Sequence, residues 1–83
     1  MNKEMVVETM KGFLRKTLFK EDLDIQTHHY LEKDLGIDSM GAVEFISMVE
    51  DEYGIIVTEE ELEKIETFGQ AVDLVMGKIN QRQ

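Results

Sequence analysis

The chain contains no cysteine, which excludes disulfides, thiolate metal sites and a cysteine nucleophile together. Any thiol chemistry must therefore arrive with a cofactor. No segment approaches the ~20 apolar residues that span a bilayer, and the start, Met1-Asn2-Lys3-Glu4, lacks a basic stretch followed by an apolar core. The expected compartment is the cytoplasm, with no membrane role. Lysine and arginine are missing from residues 34–63, a segment with ten acids, whereas the other 53 residues hold nine basic and eight acidic side chains. The whole net charge of -9 thus lies in one tract. A tract of that kind opposes nucleic-acid binding and favours steered association with basic protein surfaces. A merely solvated helix face is the alternative.

Eighty-three residues form one domain, 1–83, and a chain this short buries only about 60–65% of its unfolded surface, leaving no room for a catalytic cleft of the usual size. Val6, Met10, Phe13, Leu14 and Leu18 recur at helical spacing and predict a first amphipathic helix over roughly 3–18. From Phe19 to Ile37 the periodicity fades, so an ordered loop with room for a short helical turn is expected, pinned by Leu23, Ile25, Tyr30, Leu31, Leu35 and Ile37. A second helix begins at Asp38 or Ser39 and runs to about Tyr53, where Gly54 supplies a stop. At about 100° per residue, Ala42, Phe45, Ile46, Val49 and Tyr53 share a core-facing arc, while Met40, Glu44, Ser47, Met48 and Asp51 share another. The second arc mixes thioether with carboxylate, which suits a surface made to be bound.

Ile55-Ile56-Val57 has no partner strand and is read as a buried extended connection. Thr58 with Glu61 has capping-box spacing and predicts a short helix over 59–64, and Thr67 with Gln70 repeats the spacing before a last helix to about Asn80. Phe68, Ala71, Val72, Val75 and Ile79 form the apolar face of that helix. The expected fold is all-α: a small four-helix bundle with three main helices, one short one, and a long ordered loop between helices 1 and 2.

The run Leu35-Gly36-Ile37-Asp38-Ser39-Met40 resembles the Leu-Gly-x-Asp-Ser motif of the acyl carrier proteins, and the likeness extends over nearly the whole chain: long loop before, acidic helix after, two capped helices to follow. The resemblance implies a non-catalytic carrier. Ser39 would bear a covalent 4'-phosphopantetheine arm with acyl groups as thioesters on its thiol. Asp38, well placed as an N-cap, would by resemblance also help hold the magnesium used by the phosphopantetheinyl transferase, with no stable metal site of its own. A serine in the first helical turn also places a phosphodiester at the favourable end of the helix dipole. Partner enzymes that transfer or modify acyl groups would present basic residues to Glu44, Glu50 and Asp51, with Met40 and Met48 as apolar contacts, and the protein is expected to be a monomer. Candidate residues around a folded-back chain are Phe45, Ile46, Val49, Ile65, Phe68, Ala71 and Val72, all equally readable as core.

Three positions depart from the pattern of fatty acid synthesis. Gly41 replaces an aspartate, Ser47 an apolar residue, and Val57-Thr58 lacks the proline before the short helix. Glycine at position 41 is frequent among carriers of D-alanine, so aminoacyl cargo stands beside fatty acid, polyketide or related specialised biosynthesis. An unmodified carrier-like interaction module is the further alternative. A calcium loop starting at Asp22-Leu23-Asp24 fails at Thr27, where glycine is required, and at Lys33, where glutamate is required. A serine hydrolase with His28 or His29 lacks the Gly-x-Ser-x-Gly elbow, and both histidines are expected to be exposed loop residues.

Overall fold

A computed structural model describes residues 2–81. Among them four helices follow in order: α1 (Lys3–Leu18), α2 (Ser39–Tyr53), α3 (Glu59–Lys64) and α4 (Phe68–Gln81). None is long and apolar enough to cross a membrane. The bounds follow from local chemistry. Asn2 Oδ1 accepts the Glu4 N–H at 2.7 Å to open α1, and Asp38 Oδ1 accepts the Gly41 N–H at 2.7 Å to open α2. Gly54 ends α2 at φ 63, a left-handed conformation suited to glycine. Thr58 and Glu61 form the reciprocal capping box of α3, and Thr67 Oγ1 accepts the Gln70 N–H at 3.1 Å at the start of α4.

Helix α1 packs against both α2 and α4. Its stripe of Val6, Met10 and Leu14 meets Phe45, Ile46, Val49 and Tyr53 of α2 and Phe68, Ala71, Val72, Val75 and Ile79 of α4 in one core. No polar or charged residue is buried among those described, so packing supplies the stability. Each large side chain fully buried there contributes about 1.5–3 kcal/mol.

The long loop is anchored from both sides. Arg15 Nε donates to the Leu23 carbonyl at 2.9 Å, while the N–H groups of Phe68 and Gly69 donate to the carbonyls of His29 and Thr27. Leu31 N–H donates to the Glu66 carbonyl, and Tyr30 and Thr67 form an isolated antiparallel bridge. Ile25, Leu31, Leu35 and Ile37 are buried. The expected helical turn is one turn only, with Asp34 and Gly36 N–H groups reaching the carbonyls of Tyr30 and Glu32.

Two expectations need correction. Ile55 and Val57 are buried, but Ile56 between them is 75% exposed, because an extended backbone turns successive side chains to opposite sides. His29 is half-buried, its Nδ1 accepting the Gln26 N–H at 2.9 Å, so it serves the turn and is no free loop side chain.

Helix α3 has no buried residue. It is tied to α4 by Lys78 Nζ, 2.7 Å from Glu61 Oε1. That bond, followed by the Thr58 N–H bond to the same carboxylate, holds Glu61 below the usual carboxylate range. A lowered carboxylate stabilises the fold fully above the ordinary glutamate range, and the contribution is lost as pH falls through that range to Glu61's own value. Thermal melts of the parent and Glu61→Gln should therefore differ by no more than a few degrees at pH 7. The gap should close as pH falls below the ordinary glutamate range; a gap that widens on acidification overturns the assignment.

Candidate functional site

Ser39 is the first residue of α2 and is exposed. The capping role belongs to Asp38, so the Ser39 hydroxyl is spared from closing the helix, and among the described residues Oγ has no hydrogen-bond partner. The first turn leaves backbone N–H groups of α2 without intrahelical partners, an electropositive setting next to that hydroxyl.

Beside Ser39 lies a cleft of about 570 Å³ between the loop, the start of α2 and α3. Leu31, Ile37, Ala42, Val43, Leu62 and Ile65 give it apolar walls, while Glu32, Lys33, Asp38, Glu59, Glu63 and Glu66 supply its charges. Of the residues considered for a folded-back chain, Ile65 lines this cleft. Phe45, Ile46, Val49, Phe68, Ala71 and Val72 are buried core.

The acid-and-thioether arc of α2 divides into two parts. Met40 is 75% exposed, and Glu44, Ser47 and Asp51 continue an exposed ridge from it. Met48 is half-buried at the edge. Glu50 stands apart, turned roughly 80° from Met40 about the helix. Its Oε2 accepts the Val57 N–H at 2.8 Å, so this half-buried carboxylate braces the segment after α2. Val43, 59% exposed, is an apolar group the core arc passes over. Its signal is positional: a valine lying outside the arc of Phe45 and Val49 has no core to enter.

Gly41 is explained by close approach. A Cβ at this position would stand 2.9 Å from Ile37 Cγ1, 3.1 Å from the capping Asp38 Oδ1 and 3.6 Å from Thr17 Cγ2 of α1. The first turn of α2 is thus pressed against the end of α1 and its own capping carboxylate. Ser47 lies in the open on the ridge.

The geometry fits a phosphate-linked arm: an accessible hydroxyl, nearby N–H groups and an adjoining apolar cleft. Comparison with known proteins points the same way. A family model for the phosphopantetheine attachment site matches residues 8–75. The acyl carrier protein of Petrotoga mobilis is 32% identical over 80 residues, covering 96% of this chain and 94% of that one. The crystal structure of the Thermotoga maritima acyl carrier protein superposes with a TM-score of 0.87 at 20% identity, over 100% of this chain and 96% of that one. At that identity the likeness concerns the fold. A candidate acyl carrier protein from Mycobacterium tuberculosis gives a TM-score of 0.76 at 25% identity, over 93% of this chain and 97% of the other.

Proposed function

Because the chain belongs to the acyl carrier protein family, we propose that Ser39 is the residue to which its 4'-phosphopantetheine is attached, and that it presents thioester-bound acyl groups to enzymes of fatty acid, polyketide or related biosynthesis. The observation that carries the proposal is the exposed, unengaged Ser39 hydroxyl in the first turn of a helix that Asp38 already caps. In the attachment step Ser39 Oγ attacks the β-phosphorus of coenzyme A. The phosphorus–oxygen bond to adenosine 3',5'-bisphosphate breaks, the bisphosphate leaves, and the serine proton passes to a base outside this chain. Asp38 spends Oδ1 on the helix cap, which leaves its other carboxylate oxygen free of that bond, and the side chain would help hold the magnesium that accompanies the transferase's substrate. The arm supplies the terminal thiol that this chain lacks. The apolar walls of the cleft favour shielding of an aliphatic chain beside the attachment point. Gly41 gives no support to aminoacyl cargo here, since a Cβ there would crowd Ile37, Asp38 and Thr17 and so accounts for the glycine.

The test is direct. Apo protein incubated with coenzyme A, magnesium and a broad-specificity phosphopantetheinyl transferase should gain the mass of a single phosphopantetheine. No gain, with a transferase active on another carrier in the same buffer, defeats the proposal.

The exposed ridge from Met40 through Glu44 to Asp51 is the proposed docking face for basic partners. Reversing Glu44 and Asp51 to lysine together should raise the transferase KM by about tenfold at low salt, with helical circular dichroism unchanged, and the effect should shrink as salt rises. An unaltered KM at every salt concentration would leave the ridge merely solvated.

A further inference from the structure

Phe19, at the end of α1, is costly to the fold in two ways. Its backbone lies in the left-handed region at φ 57 and ψ 40, and it is the one non-glycine residue with positive φ among those described. The turn there is closed by the N–H groups of Phe19 and Lys20 on the carbonyls of Lys16 and Arg15, a helix ending in which glycine is the usual occupant. A phenylalanine bears steric strain in that conformation that glycine does not. Nor does the ring recover anything by burial, for Phe19 is 94% exposed. The strained backbone that holds this bare aromatic ring in place points to use outside the chain itself.

The position indicates the use. Thr17, two residues earlier, approaches Gly41, two residues after Ser39, so closely that its Cγ2 is 3.6 Å from where a Gly41 Cβ would stand. With at most ~3.6 Å of chain per residue, Phe19 and Ser39 have backbones within about 20 Å of each other. A protein interface of about 800 Å² per partner, roughly 30 Å across, covers both.

We propose that Phe19 is a second anchor for the phosphopantetheinyl transferase that modifies Ser39, its ring entering an apolar pocket; this rests on the carrier reading of Ser39. The transferase is the partner required by the chemistry, because it must bring phosphorus to Oγ and so close its surface around the end of the bundle. Enzymes acting on the far end of the arm can stand off by the arm's length. Charge is mixed around Phe19, where exposed Lys16 and Lys20 stand with exposed Glu21 and Asp22, whereas Glu44 and Asp51 line the ridge of α2. A complementary partner therefore carries bases over α2 and an apolar pocket for the ring. An anionic bilayer fits poorly, since Glu21, Asp22 and Asp24 follow Phe19 and the net charge is -9.

Steady-state transfer from coenzyme A to the full-length apo protein tests this, using one transferase specialised for discrete carriers and one of broad specificity. Phe19→Gly should raise Tm by about 4 °C through release of strain, raise KM about tenfold with the specialised enzyme, and leave kcat unchanged; Phe19→Tyr should keep the parental KM. A KM unchanged with both enzymes overturns the anchor, and a fall in Tm overturns the strain on which it stands. Binding of the parent to phosphatidylglycerol vesicles, lost in Phe19→Gly, would assign the ring to a membrane instead. If the parent is never modified while a control carrier is, the reading of Ser39 falls too; if the parent is modified and Phe19→Gly is indifferent, only the anchor falls.

Discussion

Ser39→Ala should abolish phosphopantetheine attachment completely while leaving Tm within a few degrees of the parent's. The first half follows from bond-making: without Oγ no nucleophile stands in the first turn of α2. The second half follows from the division of labour at the helix start. Asp38, not Ser39, accepts the Gly41 N–H, so removing the Ser39 hydroxyl deletes no cap, and alanine is a better helix former than serine by about 0.5 kcal/mol. Asp38→Ala should cost about 1 kcal/mol through the lost cap. Other hydroxyls provide internal controls. Ser47 is exposed further along the same helix, and Thr58 Oγ1 is occupied with Glu61. Intact mass and a melting curve on the same sample check both halves; a residual mass gain in Ser39→Ala would relocate the attachment point.

Phe68→Ala should cost about 3–5 kcal/mol, the loss of a fully buried ring plus the cavity it leaves. Phe68 is 0% exposed and opens α4, and its N–H also holds the His29 carbonyl of the long loop. A domain of this size has about 4–12 kcal/mol of stability in all, and Tm should fall by about 15–30 °C. Denaturant and thermal unfolding by circular dichroism measure it. Ile56→Ala, at a residue 75% exposed, should change stability by less than about 0.5 kcal/mol. Similar losses at the two positions would mean that the core is not centred where α4 meets the loop.

The helix bounds were legible because their signals are local. Asp38 before Ser39, Gly54 after Tyr53, Thr58 with Glu61 and Thr67 with Gln70 act within one turn, and each is found at the helix end it indicates. The apolar faces of α2 and α4 were legible because the 3.6-residue period is itself the packing rule. What could not be read depends on groups remote along the chain. Glu50 looks like one more surface acid until Val57 N–H closes on it. His29 gains its role from Gln26 and from α4. The cleft needs α3 opposite the start of α2, an arrangement to which no single segment testifies. Phe19 was visible as a residue, but its left-handed backbone and bare ring were not.

The corner where Thr17, Ile37 and Asp38 crowd Gly41 has a consequence for sorting carriers by cargo. A glycine two places after the proposed attachment serine reads as a pathway label when sequences are aligned, yet here its size is dictated from inside the molecule. The label belongs to a four-residue set, Thr17, Ile37, Asp38 and Gly41, whose packing would have to shift to admit a bulkier residue. Glycine at this place therefore reports the tightness of a joint between two helices, and cargo must be sought among the walls of the cleft and in the enzymes that fill it.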